Sequence, residues 1–415
     1  MLTKSNLQTT LWAMIAAFAT YSCMYAYRKP ISAATYEDYV LFGLNYKVVI
    51  IIIQVLGYLC SKFIGIKFIS ELKQKKRAII LISLIAISNF ALFLFAVTPF
   101  PYNFIWIFFN GLPLGFVWGI VFSYIEGRKV TDILATFLSI SFIVSSGLVK
   151  SVGRWVIEIY HISEFWMPFA VGTLFIPLML LSIWMLEQIP LPDKEDFETR
   201  APRVALNSIQ RKNLFNTYLL GFIAILLANM FLTVGRDIKD NFLVEIFKSM
   251  GIADNLSIYL KTETIIGIIV LGMLSLLVLV QKNRKAFLII HLIMILGLLI
   301  MLFSTLAIQY KIGNKILVII FHGIGLYTAY IVFQSLYFER FIATFKVSGN
   351  VGFLIYMSDF IGYLASCTIL VLKELTGFSA QWDIFFIQLS YFVGIFGIIS
   401  VVSAYFYFKN KPIPS

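Results

Sequence analysis

Between Leu7 and Phe408 the chain is a succession of apolar runs, each about 20 residues long and separated by charged breaks. A helix of that length crosses the ~30 Å hydrocarbon core of a bilayer, whereas strands of a membrane barrel would be about half as long and would alternate in polarity. Of the 415 residues 60% are hydrophobic and 13% charged, with a mean hydropathy of +0.90, more apolar surface than a water-soluble domain can hide. The runs fall at 7–27, 48–69, 78–97, 103–125, 133–156, 165–187, 214–235, 257–280, 286–308, 316–338, 347–372 and 384–408. The expected fold class is therefore an all-α integral membrane protein with twelve transmembrane helices in two six-helix bundles. No polar stretch is long enough for a separate catalytic domain. The first run is too long for the apolar core of a cleavable signal and reads as a retained span.

The longest polar connection, Glu187 to Asn213, carries three prolines and charges of both signs, and splits the runs six and six. It divides the chain into an N-terminal bundle (1–187), a linker (188–213) and a C-terminal bundle (214–415). Of the 33 Lys and Arg residues, 21 fall on the side of the N-terminus, 11 on the other, and Lys261 lies inside a run. The positive-inside rule then predicts that both termini and the linker are cytoplasmic, in the plasma (inner) membrane of the cell. The net charge of +12 reads as this topology signal. A nucleic-acid partner would need a basic patch on a soluble face, and the sequence has none. Cys23, Cys60 and Cys367 all sit in apolar runs and read as packed thiols, not as a disulfide framework or metal site.

Six plus six runs around a central linker is the layout of carriers built from repeated bundles. Arg28 comes about 21 residues after the start of the first run, and Arg236 about 22 after the start of the seventh. Each arginine has two readings: it ends its helix and snorkels to the headgroups, or it faces a cavity inside the membrane. A guanidinium stays charged when partly desolvated and offers a planar fork that matches carboxylate or phosphate oxygens.

The stretch "YAYRKP" resembles the first-helix Tyr-x-x-Arg-Lys motif of the organophosphate:phosphate antiporters, the glycerol-3-phosphate and hexose-phosphate exchangers of the major facilitator superfamily. On that resemblance Tyr25, Arg28 and Lys29 occupy the motif positions. "GYLCSKFIGIKFIS" is similar to the family's second helix and places Lys62. "VGRDIKDN" offers Arg236 as the helix-seven arginine, and "YLKTETIIG" places Glu263 at an acidic position of helix eight. The resemblance implies that the helices continue beyond the apolar runs and that Arg28 and Arg236 grip a substrate phosphate, with Pro30 bending or ending helix one. The chain departs from the superfamily at its gate loops. "GIKFISELKQKKR" has Gly65 and Glu71 but no arginine directly after the acid, and "GMLSLLVLVQKNR" has Gly272 but no acid.

Other polar residues fall inside the runs. Asp359 in "IYMSDFIGY" is costly there without a partner, and is expected either to titrate in a coupled cycle or to pair with a cation. Glu263 and Lys261 are two apart and point to different helix faces. Lys150 and Arg154 are four apart and share a face, which reads as an anion guide or, more commonly, as a solvated or snorkelling pair. His322 is a candidate for coupling or gating against the plainer role of a hydrogen-bonded structural group, as is usual for His291. Gly111, Gly115 and Gly119 would let the fourth helix pack closely. Walker, zinc and nucleophile-elbow motifs are missing.

The expected function is secondary-active transport of a small anion, a phosphorylated metabolite or phosphate, by alternating access and not enzymatic catalysis. Tyr25, Arg28, Lys29, Lys62 and Arg236 are the expected substrate ligands, and Glu263, Asp359 and His322 the coupling or gating groups. No metal or cofactor is expected, and the partners are the lipid bilayer and the small anionic substrate of a monomeric carrier. The alternatives are a proton-coupled carrier of another organic solute and a transporter-like receptor that binds without moving its ligand.

Overall fold

The computed structural model describes residues 4–70, 74–126, 128, 131–190, 208–252, 255, 257–280, 282–347, 351–376 and 381–412. Glu71 and linker residues 191–207 lie outside the described residues. The α-helices are α1 (Lys4–Arg28), α2 (Tyr46–Ser70), α3 (Arg77–Val97), α4 (Phe104–Ile125), α5 (Thr131–Tyr160), α6 (Met167–Leu174), α7 (Ile176–Glu187), α8 (Ser208–Thr217), α9 (Leu219–Asn241), α10 (Leu243–Ser249), α11 (Ile258–Ser275), α12 (Asn283–Gln309), α13 (Lys315–Val332), α14 (Phe338–Phe345), α15 (Val351–Thr376) and α16 (Trp382–Asn410). Each of the twelve expected runs overlies helix. Among the described residues nine helices are long and apolar enough to cross a membrane, ten if α6 and α7 count as one span bent by 43° at Phe175. Pro177 in the first turn of α7 withholds a backbone donor at that bend. The helix α1 is not among the nine because threonines, tyrosines and a serine dilute it. A small antiparallel hairpin, β1 (Val40–Leu41) with β2 (Leu44–Asn45), lies between α1 and α2. Its turn residues Phe42 and Gly43 both have positive φ, as a tight two-residue hairpin turn requires.

The chain divides into two compact units. The first comprises residues 1–200 with 240–264 and 370–378, and the second 201–239, 265–369 and 379–415. In the first, α2 and α4 approach until their backbones touch: a Cβ on Gly57 would lie 2.3 Å from Phe108 O, and one on Gly111 2.3 Å from Gln54 O. Such glycine contacts drive helix association in lipid, where apolar burial gives no preference. Gly115 meets Ser61 in the same seam.

The helix α1 ends at Arg28, and a 3₁₀ turn follows at Pro30–Ser32. Pro30 has no N–H, so the last α1 carbonyls need other donors. Gln54 Nε2 donates to Arg28 O (3.0 Å) and to Asn110 Oδ1 (2.7 Å). Asn110 Nδ2 donates to Tyr27 O (3.0 Å) and Ser88 Oγ (2.7 Å). Residues of α1, α2, α3 and α4 thus meet in one buried amide lattice, and it fixes where the Arg28–Lys29 pair stands.

In the second unit Gly297 of α12 and Gly325 of α13 each approach the other's carbonyl, where an added Cβ would lie 2.6 and 2.5 Å away. Residues 333–337 form a π-helical segment between α13 and α14. Phe287, Phe341, Phe345 and Phe408 pack ring against ring around Tyr218. His291 is a structural group in this region, bonded through its two ring nitrogens to Phe287 O (2.9 Å) and the Tyr337 hydroxyl (3.1 Å).

Candidate functional site

Each of the eight expected site residues is buried inside the protein: Tyr25, Arg28, Lys29, Lys62, Glu263, Arg236, His322 and Asp359. Arg28 is 4% exposed, Lys29 2% and Arg236 2%, so none of the three snorkels. In the first unit the Arg28 guanidinium carbon lies 4.3 Å from the centroid of the Tyr58 ring, and Lys62 Nζ lies 5.1 Å from the same ring. One aromatic ring therefore gathers two of the expected ligands. Tyr58 is one turn before Lys62 on α2, which makes the shared ring a property of that helix. Trp118 of α4 stands 5.9 Å from Lys62 Nζ. Tyr25 packs edge to face on Tyr21, one turn earlier on α1.

Lys29 turns elsewhere. Its Nζ lies 2.5 Å from Asp240 Oδ2 and 2.6 Å from Asn241 Oδ1. Lys150 Nζ reaches the other oxygen of the same carboxylate at 2.9 Å and Ser146 Oγ at 2.7 Å, and the Ser146 hydroxyl donates to Asp240 as well. Asp240 is thus a buried carboxylate gripped by two lysines from α5 and the end of α1. One turn on, Lys47 pairs with Glu245 and donates to Ser32 O (2.9 Å), with the Phe242 ring 5.4 Å away. Burial pushes the Glu245 carboxyl above its usual range, and the charge of Lys47 offsets part of that rise. Lys150 and Arg154 do not share one environment: Lys150 is fully buried, while Arg154 is partly exposed and pairs with Glu158. Glu263 lies where α11 meets α5. A Cβ on Gly147 would come 2.8 Å from the Glu263 Cβ and 2.5 Å from Tyr259 O.

The second unit holds Arg236 differently. Its NH2 is 3.0 Å from Asp237 Oδ1 and 3.2 Å from the Tyr363 hydroxyl, and its guanidinium carbon lies 4.9 Å from the Tyr330 ring and 5.5 Å from that of Tyr363. Asp359, one turn before Tyr363 on α15, accepts a bond from Gln334 Nε2 at 3.0 Å. Gln334 belongs to the π segment, a local irregularity frequent at functional sites. His322 is bonded through Nε2 to Ser390 Oγ (2.9 Å) and stacks near Phe386. Lys239 is fully buried, with its Nζ 4.9 Å from the Tyr327 ring.

Sequence reasoning did not find Asp240, Lys47, Glu245 or the ring partners Tyr58, Tyr330 and Tyr363. One signal for Asp240 was present. No glycine or proline interrupts residues 236–250, so α9 runs on to Asn241, six residues past the end of the apolar run at 235. That continuation turns "RDIKDN" from a loop into a buried helix end.

Residues 30–411 match the profile of a family of unknown function, DUF5690, and the chain belongs to that family. No curated protein matches the sequence. Among solved structures the chain is similar to a bacterial homologue of the human lysosomal transporter Spinster, with a TM-score of 0.63 at 10% identity over 98% of this chain and 99% of that one. It is also similar to a D-xylose–proton symporter, with a TM-score of 0.58 at 14% identity over 98% and 97% of the two chains. A proton:xylose symporter bound to 6-bromo-6-deoxy-D-glucose gives 0.59 at 14% identity over 98% and 96%. The fold is that of the major facilitator superfamily, an all-α multi-pass membrane architecture.

Proposed function

We propose that the chain is a secondary-active carrier of a small anion, of the organophosphate:phosphate antiporter type, working by alternating access from the plasma (inner) membrane as a monomer with both termini cytoplasmic. The observation that carries the reading is the pair of buried cations on one ring, Arg28 and Lys62 at Tyr58. Two cations held together at low dielectric repel, and an anion with several oxygens relieves that repulsion better than water does. The Arg28 fork suits a phosphate or carboxylate edge, and Lys62 adds a point charge. Arg236 supplies a second buried fork in its own unit, while Tyr25 lies one turn before Arg28 on α1 and Lys29 is held at Asp240. The clamp of Lys29 and Lys150 on Asp240 gives an arriving anion a carboxylate to compete with. Glu263, Asp359 and His322 stand as the groups that respond to occupancy.

The test is exchange of labelled phosphate in proteoliposomes, with wild type against Arg28→Lys and Arg236→Lys. Lysine keeps the charge and removes the fork, so a loss of tenfold or more, about 1.4 kcal/mol, is expected in each. Full exchange by both variants sinks the clamp. A second reading, proton-coupled uptake of another organic solute, is favoured by Asp359 beside the π segment. It requires pH-driven uptake that Asp359→Asn abolishes, without stimulation by phosphate on the far side.

A further inference from the structure

The second unit carries a patch of six cations drawn from three helices and the residues beside them. Lys282 precedes α12, Arg284 and Lys285 stand in its first turn, Arg340 belongs to α14, Lys409 lies near the end of α16, and Lys411 follows it. Hydrogen bonds bring these segments together. Arg284 Nη2 donates to Lys409 O at 3.0 Å, which joins the start of α12 to the end of α16. Arg340 Nη1 donates to Asn283 Oδ1 at 2.7 Å, beside Arg284. Lys411 Nζ donates to Thr217 O at 2.9 Å, with the Tyr218 and Tyr407 rings each 5.4 Å away, and Lys409 Nζ lies 5.6 Å from the Tyr405 ring. Deeper in the span the same two helices stay in contact through Phe287 on Phe408 (5.4 Å) and His291 on Tyr405 (6.1 Å). The cations therefore crown the α12–α16 seam.

The protein does not neutralise this patch. Among the described residues none of the six cations forms an ion pair, and Glu339 adjoins Arg340 without pairing with it. The first unit treats its peripheral cations otherwise: Arg154 has Glu158 and Lys248 has Glu37. Like charges gathered on one seam draw a counter-anion. The side chains can receive one, since Lys282, Arg284, Lys285 and Lys409 are exposed and Arg340 and Lys411 half-buried. The bond to Lys409 O takes one of the five donors of Arg284, and the bond to Asn283 one of those of Arg340. The donors left over suit phosphate oxygens. Further along, both helices expose apolar side chains, Leu292 and Leu296 on α12 and Ile399 and Phe406 on α16. A basic pocket above lipid-facing helices selects a ligand with an anionic head and apolar tails. A head that carries its own ammonium would bring a repelled cation with it.

We propose that the charged end of the α12–α16 seam is a binding site for an anionic phospholipid, its phosphodiester held by Arg284, Arg340 and Lys409 and its acyl chains lying on the apolar faces of α12 and α16. The site is independent of anion transport, so phosphate exchange can fail or succeed without bearing on it. The full-length protein in a neutral maltoside detergent is titrated with phosphatidylglycerol or with phosphatidylcholine of the same acyl chains, and bound lipids are counted by native mass spectrometry. The first phosphatidylglycerol should bind about tenfold more tightly than the first phosphatidylcholine. Arg284→Gln combined with Lys409→Gln should remove that preference. Lys75→Gln combined with Lys76→Gln takes the same charge from exposed residues of the first unit and should leave it intact. Arg340→Gln alone, on a separate helix, should weaken phosphatidylglycerol about threefold. The substituted residues of both double variants are exposed, so their unfolding temperatures without lipid should match that of wild type, and Arg340→Gln reads the site should the first pair unfold early. Inorganic phosphate in large excess at constant ionic strength should not displace the lipid. Equal binding of the two lipids, or equal loss in the two double variants, would mean that the cations act only through net charge and overturns the proposal. Displacement by inorganic phosphate overturns it too, since the patch would then hold free phosphate and not a lipid.

Discussion

The Asp240 lattice of the first unit and the Arg236 site of the second bury their cations by different physics. In the first, Lys29 and Lys150 share the carboxylate of Asp240 through direct contacts of 2.5 and 2.9 Å, and Ser146 and Asn241 complete the set. In the second, Arg236 leans on the sequence-adjacent Asp237 and on the faces of Tyr330 and Tyr363. An ion lattice is stiff, because each member leaves an uncompensated buried charge if another is removed. Ring faces are softer, since the attraction persists as the guanidinium slides across the π surface. The contrast places rigidity at the end of α1 and compliance around Arg236.

Asp240→Asn breaks the stiff side and should have the largest effect. It strands two buried lysines and should cost about 3–5 kcal/mol, read as a lowered unfolding temperature in detergent. Added phosphate should return part of that loss in the variant by giving the lysines a replacement anion. A melting temperature equal to that of wild type would remove the lattice from the account. On the soft side, Tyr330→Leu takes one ring from Arg236 and should cost about 2 kcal/mol, with Asp237 and Tyr363 still in place. If it proves more damaging than Asp240→Asn, the comparison is the wrong way round.

Smaller effects follow at Lys47 and Glu245. A carboxyl whose pKa is raised on folding adds stability below its ordinary range and loses that contribution as pH climbs through the raised value. Burial raises Glu245, and Lys47 restrains the rise. Lys47→Met should therefore steepen the fall in melting temperature as pH rises above the ordinary carboxylate range. The slope change should be modest, because the Glu245 side chain is still 12% exposed. Parallel wild-type and variant pH curves would show that Lys47 does not govern this carboxyl. Smallest of all, Lys248→Ala removes an exposed pair with Glu37 and should cost at most about 0.5 kcal/mol, vanishing in high salt.

Hydropathy and charge made the architecture legible. Every expected run overlies helix, since each had to satisfy its own backbone in lipid and only length and polarity enter that requirement. Arg28 and Arg236 were legible as candidates, but not which side of the helix end they favour. That is decided by Tyr58, Tyr330 and Tyr363, aromatic residues indistinguishable in sequence from the many that face lipid. Asp240 was hidden because its partner Lys29 is 211 positions away and because "RDIKDN" read as the close of a span. Lys150 and Arg154 share a face by spacing, yet only Lys150 meets Asp240. Spacing gives direction around one helix and says nothing about which neighbour waits there.

The side-chain amides that cap α1 restrict how the molecule can move. Gln54 and Asn110 tie the closing carbonyls of that helix to α2, α3 and α4 at a single level. A piston stroke of α1 along its axis would rupture these bonds in a dry interior, whereas tilting the four helices together keeps all of them. Any working cycle of this unit should therefore carry the quartet as one lever, with the Arg28 backbone at its tip.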